Sequence, residues 1–543
     1  MSSTTRRNFV KGAGAAAIMP LALMPSTGKS QRLAQALGDQ FDYVIAGAGH
    51  NSLLCAAYLA KAGNSVLVLE GRAMIGGGVK TAEVLLPGFK EDLCSTVHAI
   101  FARNPAYRDN EINVRDYGYE LIDPEIVVHI PFLDGVSLTV FREDADRTAE
   151  TIAKVSRKDA ETFRRLAASR ERVSSLSPSE RSQSREGIFW QRLEELSGFD
   201  AGRQIWESPH VQAANLATGH FFGVAGNDLG TGDQAVQMID YLGGRPIPKG
   251  GSGMLSEALG RFIEAHDGVI LTNKPVEQLI VERGRCAGVE CSDGSQYRAR
   301  KGVVSTIHIK HLFQMAPREL WGEELTDIVD IWQPEHAMFA FTYAVSARPA
   351  YESSEGGIIE PCEAAILDQP ESIFALNVDQ ATGELNLDDY PLQIVHAANV
   401  DPTRAPEGFG SVKVEGTIPY MLKEGPEHWD VIKEQVADQL FTRYLSHTAN
   451  LSKEDVLAKV LMSPLDIERM NPAMWQGSVH ARSRTFDNFT PYRLPIPGLY
   501  QTGSCTEGGG SVTGRPGRAA AAVILEDDGK TLEEVAARRT RRG

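Results

Sequence analysis

Phe41-Asp42-Tyr43-Val44-Ile45-Ala46-Gly47-Ala48-Gly49-His50-Asn51-Ser52 is the stretch on which the fold turns. Its first half is β-branched and aromatic, which reads as a buried strand. Its second half opens a helical segment, Leu53 to Ala62, with Gly63 as the C-terminal cap. A second strand follows at Ser65 to Leu69 and is closed by Glu70, so the order is β-α-β. Gly47 permits the tight turn, and Gly49 lets the backbone approach a pyrophosphate at the helix N-terminus, where free N–H groups favour negative charge. Glu70 stands where an acid accepts hydrogen bonds from ribose hydroxyls. Ser52 occupies the place of the motif's third glycine and is small enough for helix and strand to pack closely.

Three further glycine clusters extend this unit. Ile75-Gly76-Gly77-Gly78 follows the acid, with Arg72 available to a diphosphate; an ordinary surface loop is the alternative. Gly250-Gly251-Ser252-Gly253 precedes a helical pattern from Met254 to Ala265 and a meander over Val269 to Leu271, Val276 to Glu282 and Arg285 to Cys291. Val303 to Thr306 is another buried-strand candidate. Finally Gly498 to Arg518 reads as strand, glycine loop and helix opening, continuing into the alanine-rich Ala519 to Leu525. The last piece offers a second helix N-terminus to a ligand held at residues 47–52, more than a simple NAD domain requires.

Composition narrows the class. At 543 residues, with 42% hydrophobic and 23% charged, the chain has room for two or three domains of roughly 100–200 residues. A net charge of −16 repels polyanions, which argues against nucleic acid as a partner. The six cysteines (55, 94, 286, 291, 362, 505) are too scattered for a disulfide scaffold or a zinc site, so no structural metal is expected. Cys286 and Cys291, five apart in one strand, should face opposite sides. The N-terminus carries Arg6-Arg7-Asn8-Phe9-Val10-Lys11 and then a 13-residue apolar run, Gly12 to Met24, interrupted by Pro20. That run is too short to cross a ~30 Å hydrocarbon core. Residues 1–36 resemble a twin-arginine export signal, with a disordered basic tail as the alternative. The expected partner is the twin-arginine translocase, and the expected location is periplasmic or exported, with membrane association as a further alternative. Removing residues 1–36 takes away five basic residues and no acid, leaving a net charge of −21.

The four glycine blocks together resemble the phytoene-desaturase-like flavoproteins, a branch of the FAD amine-oxidoreductase superfamily. The likeness rests on Gly47-Ala48-Gly49-His50-Asn51, on the Glu70-to-Gly77 loop with Pro87-Gly88-Phe89 beyond it, and on Gly498-Leu499-Tyr500 through Arg518. It implies noncovalent FAD. By that resemblance Val276 sets its backbone against the adenine, Gly49 and Arg72 serve the diphosphate and ribose, and Gly503, Gly509 and Gly510 lie beside the diphosphate or flavin. Within the terminal block Glu507 stands at the family's histidine position, Gly508 at its proline and Ser511 at its third glycine.

The expected fold is α/β: a discontinuous Rossmann-type FAD-binding domain (40–110, 245–310 and 485–530) with an inserted α+β substrate domain (111–244 and 311–484). Within the insert, Asp144 to Arg172 reads as helical, and Phe189-Trp190 and His220-Phe221-Phe222 as core or pocket aromatics. The tail at 531–543, with Arg538, Arg539, Arg541 and Arg542, is either solvated or a peripheral contact with anionic lipid. Hydride removal from carbon depends mainly on holding the reacting bond against the flavin in a dry cavity. If a proton also leaves, Glu507 is the first candidate base, with a solvated or capping acid as the alternative. His98 is second, weighed against a structural histidine, and His480, after the loop Trp475-Gln476-Gly477, is third. The expected activity is oxidation or redox-neutral isomerisation of an extended hydrophobic polyene, isoprenoid or aromatic substrate, with oxygen or a quinone as acceptor. A flavin amine oxidase and a flavin-containing carrier of little activity are the alternatives.

Overall fold

The computed structural model describes Gly38 and residues 40–219, 225–334, 336–480 and 489–538. The leader, His220-Phe221-Phe222 and Arg539 onward lie outside the described residues. Two seven-stranded sheets dominate. The first is built from Gln40–Ala46 (β1), Val66–Leu69 (β2), Val269–Leu271 (β3), Val276–Glu282 (β4), Arg285–Cys291 (β5), Gln296–Ser305 (β6) and Leu499–Gln501 (β7). β1 lies between β2 and β6, parallel to both; β3 extends the parallel run beyond β2, and β7 extends it beyond β6. β4 and β5 form the antiparallel meander leading into β6.

Burial on both faces explains why β1 and β2 read as continuous apolar runs. On one face pack His50–Lys61 (α1), Gly253–Ala265 (α2) and Arg515–Asp527 (α3), around Leu53, Ala57, Leu259, Phe262 and Ile524. On the other, Val44, Leu67 and Val303 meet Leu312, Trp321 and Val329. Each large apolar side chain fully removed from water contributes on the order of 1.5–3 kcal/mol, and the side chains of β1 and β2 are counted on both layers. α1 and α3 approach closely because Gly517 has no side chain; a Cβ there would lie 2.3 Å from the Asn51 carbonyl oxygen.

The second sheet runs in the order Val456–Met462, Ala337–Val345, Gly410–Ile418, Leu392–Val395, Glu363–Ile366, Ile126–Pro131, Ser137–Phe141. Neighbours are antiparallel except Glu363–Ile366 against Ile126–Pro131. One face carries the largest core, with Phe341, Tyr343, Val412, Val414 and Ile394 set against Phe163, Trp190, Trp429 and Phe441. Its other face looks toward the first sheet.

Several expectations shift. Residues 112–119 (Ile112, Val114, Tyr117, Tyr119) and 309–332 (Ile309 to Trp332) pack into the cores of the first sheet, past the boundaries expected at 110 and 310. The helical stretch over 144–172 is two helices, Ala145–Ile152 and Arg157–Ser174, because Ser156 caps the second by accepting from the Asp159 N–H (3.0 Å). Cys286 and Cys291 share one core rather than opposite faces. The pairing of β4 with β5 slips between Ile280 and Val281, and this bulge restores the parity that alternation alone would deny. All six cysteines are free. Among the described residues, no helix is long and apolar enough to cross a membrane, and no group of side chains is arranged to hold a metal.

Candidate functional site

The parallel strands β1, β2 and β6 end at one edge, where the chain turns into glycine loops, and a cavity of about 620 Å³ opens there toward the second sheet. Of the residues expected to hold a dinucleotide, Gly47, Gly49, Glu70, Arg72, Gly77, Val276, Gly503 and Gly510 line it. Ser52, Gly76 and Gly509 stand behind the wall. Ser52 Oγ reaches the Gly47 and Gly49 carbonyls (2.7 and 2.9 Å), so it pins the loop rather than touching a ligand. Gly76 bridges to Gly49 at a φ of +117°, where a Cβ would sit 2.3 Å from the Val79 carbonyl oxygen.

Glu70 is held in place before any ligand arrives. Its Oε2 accepts from the Ala48 N–H and its Oε1 from the Arg72 N–H, both at 3.0 Å. That ties the end of β2 to the turn after β1, leaving lone pairs on both oxygens for further donors. Arg72 is anchored through Nη2 to the Arg469 carbonyl (3.0 Å). Thr306, at the end of β6, is the keystone that sequence reading missed. A side chain on Gly47 or on Gly503 would meet Thr306 at 2.6 Å, so the two glycine loops and this threonine converge on one point. His50 and Asn51, at the start of α1, also line the cavity, and each carries a buried polar atom without a protein partner, Nε2 and Oδ1 respectively. Burial holds His50 near a pKa of about 4, so the ring is neutral at neutral pH. Unpartnered buried donors and acceptors, a helix N-terminus, a glycine-smooth backbone and a preset acid are what a long dinucleotide requires. The donor set fits FAD.

The catalytic candidates fare differently. Glu507 is exposed and does not line the cavity. The loop enters the cavity through Gly503, Ser504 and Gly510, but turns outward between them, with Gly508 and Gly509 at φ values of +83° and +43° and Tyr492 Oη donating to the Glu507 carbonyl (2.8 Å). His98 is fully buried and also off the cavity; its Nδ1 meets Tyr119 Oη (2.8 Å) and its Nε2 meets Ser252 Oγ (2.7 Å). Burial lowers its pKa to about 3, so the ring is neutral at neutral pH. His480 does line the cavity, packed against Gly510. Phe189 and Trp190 do not reach it; Trp190 is core and Phe189 half-exposed. Ser511, at the family's glycine position, keeps the left-handed conformation a glycine would prefer (φ +67°).

The roof of the cavity comes from the second sheet and from the segment before α2. Met338, Ala340, Gln393, Val395 and Glu415 descend from three adjacent strands, joined by Gln237, Tyr241 and Arg245. Val97, Ile100 and Met474 supply apolar wall. No motif marks the strand Gly410–Ile418. Its alternation of Val412 and Val414 with Lys413 and Glu415 looks like a half-exposed strand, yet all nine residues are buried.

Comparison with known proteins agrees with this geometry. The profile of the "Flavin containing amine oxidoreductase" family matches residues 53–332. One of the limonene dehydrogenase polypeptides of Castellaniella defragrans is 25% identical over 91% of this chain and 96% of its own length. Carotenoid 3,4-desaturase of Haloarcula japonica is 25% identical over 86% of this chain and 94% of its own. An oxidoreductase from Methanosarcina mazei superposes with a TM-score of 0.59 at 17% identity, covering 90% of this chain and all of that one, which speaks for the shared fold. With the family's profile spanning more than half the sequence and a cavity suited to the dinucleotide, the chain belongs to the flavin containing amine oxidoreductases and is an FAD-dependent oxidoreductase.

Proposed function

We propose that this enzyme dehydrogenates, or isomerises without net redox change, a molecule with an extended hydrophobic body. The observation that carries the reading is that one cavity joins the glycine wall to an apolar stretch formed by Val97, Ile100, Met338, Val395 and Met474. The names of the relatives, a limonene dehydrogenase and a carotenoid desaturase, support the same substrate class. When bound, FAD supplies a two-electron hydride acceptor. The chain's own contribution is to hold the dinucleotide by Gly49, Glu70 and Gly503, to orient the substrate beneath the strand Gly410–Ile418, and to keep water out through the buried roof. Oxygen or a quinone is the proposed final acceptor.

The amine-oxidase alternative calls for aromatic side chains flanking the reacting amine. Among the described residues, the cavity's Phe, Tyr and Trp side chains are Tyr241 and Phe339, and Phe339 belongs to the core on the far face of the second sheet. The carrier alternative predicts a flavin that no substrate reduces. Anaerobic titration of the purified holoprotein with polyenes, terpenes, aromatic alcohols and amines decides among them. Bleaching by the hydrophobic compounds, or their isomerisation without bleaching, supports the proposal, bleaching by simple amines alone supports the alternative, and neither bleaching nor isomerised product across the panel supports the carrier. We also propose twin-arginine export to the periplasm, carried by the Arg6-Arg7 leader; Arg6→Lys with Arg7→Lys should leave the folded enzyme in the cytoplasm, and unchanged fractionation overturns the proposal.

A further inference from the structure

The roof of the cavity is charged, although a purely hydrocarbon substrate has no use for charge. Glu363 lies behind the wall and engages Arg245 twice, through Nε (3.0 Å to each carboxylate oxygen) and Nη2 (2.8 Å); it also accepts from Gln393 Nε2 (2.6 Å). On the next strand Lys413 Nζ lies 3.0 Å from Glu415 Oε2 and donates to the Cys94 carbonyl (2.6 Å) and to Thr96 Oγ1 (2.9 Å). Gln393 and Glu415 are direct cross-strand partners, and Arg245, Gln393 and Glu415 all face the cavity. Asp240, at the same end, is paired with Arg170 (2.9 Å). The carboxylates Glu363, Glu415 and Asp240 thus each have a counter-charge within the protein, and Arg245 is held by Glu363, while Arg103, which lines the cavity near Asp240, reaches only the Gly243 carbonyl (3.4 Å).

Balance of this kind restricts what the roof can take. At Arg245, Gln393 and Glu415 an incoming ammonium would find Glu415 already matched by Lys413, an incoming carboxylate would have to compete with Glu363 for Arg245, and either would lose its own hydration, an unfavourable exchange. A hydrocarbon would lie against Arg245, Gln393 and Glu415 and return no hydrogen bond, which costs roughly 1–3 kcal/mol for each polar group left unsatisfied. A hydroxyl both donates and accepts, so it can serve Glu415 or Gln393 as acceptor and Arg245 as donor at once.

We propose that Arg245, Gln393 and Glu415 form a specificity subsite for an uncharged hydroxyl at one end of the hydrophobic substrate, an inference that rests on the oxidoreductase reading above and narrows its substrate class. The test is titration calorimetry of the purified full-length protein, with flavin content measured on the same samples, using four ten-carbon probes: 1-decene, 1-decanol, decanoate and decylammonium. 1-Decanol is expected to bind at least about tenfold more tightly than each of the others, the equivalent of one net hydrogen bond. In Glu415→Leu the preference of alcohol over alkene should collapse toward parity, while Glu415→Gln, which keeps an acceptor, should retain most of it. Equal binding of decene and decanol, tightest binding by either ion, no binding by any probe, or an undiminished preference in Glu415→Leu overturns the subsite. Should Glu415→Leu fail to fold, the four-probe comparison on the natural protein decides alone. A colourless protein that still prefers decanol would refute the cofactor and leave the subsite standing; a yellow protein without the preference would do the reverse.

Discussion

The cavity has two walls made in different ways. The lower wall is backbone: Gly47, Gly49 and Gly503 meet around Thr306, with Gly77 set against Gly49, and side chains matter there mainly by being absent. The upper wall is side chain: Arg245, Gln393 and Glu415 are brought together from a loop and two strands of the second sheet, over ion pairs hidden from water. A backbone wall tolerates no addition, whereas a side-chain wall tolerates exchange of one polar group for another of like shape. The first kind suits a cofactor of fixed shape, and the second suits a substrate that differs among relatives.

The sharpest way to break this contrast is Gly47→Val. The new side chain meets Thr306 and is strained at a φ of +95°, so flavin content should fall close to zero, read as absorbance near 450 nm per chain. Retention of full flavin would show that the lower wall is not rigid. Next in size is Arg404→Met, behind the upper wall. Arg404 and Asp92 are each only 1% exposed in their side chains and lie 3.0 Å apart; leaving Asp92 unpaired should cost about 3–5 kcal/mol in denaturant unfolding. A loss below ~1 kcal/mol would mean the pair is not closed to water.

How much of this was legible in the sequence also divides along the two walls. β3, β4 and β5 span the residues expected, and the turn after β1 places Gly47, Gly49 and Glu70 as the β-α-β spacing requires. Local rules suffice there because strand, turn and helix are contiguous in the chain. The upper wall carries no such mark. Lys413 and Glu415 alternate with valines, as on any strand with one wet face, and only its place between Leu392–Val395 and Ala337–Val345, with Cys94 and Thr96 brought against Lys413 from far away in the sequence, buries that face. Glu507 is the mirror case: its neighbours in sequence do reach the cavity, but two residues at positive φ carry it outward.

Acid sensitivity probes the packing behind both walls. Burial depresses His50 to a pKa of about 4 and His98, His129 and His396 to about 3. The unfolded chain therefore binds these protons below about pH 6.5 while the folded chain does not. Stability contributed in this way is complete above that pH and is lost as pH falls toward 3–4. Glu91 opposes one of the four, since burial raises it to about 7 despite Arg404 beside it, and it takes up a proton on folding over part of the same range. Unfolding followed at successive pH values from 8 to 5 should show stability declining below about 6.5, by about 1.4 kcal/mol per pH unit for each net proton. A flat profile would mean these rings are hydrated. The smallest effect belongs to Glu507→Gln: an exposed side chain off the cavity should change flavin reduction rates by less than about twofold, and a large loss would place that loop against the substrate after all.

The account stands on one dinucleotide lying across the lower wall beneath the second sheet. Flavin released by denaturing the purified full-length protein, quantified against chain concentration and identified by mass, tests this most directly. One FAD per chain, released without covalent attachment, is the predicted result; a colourless protein that takes up no FAD on reconstitution would contradict it.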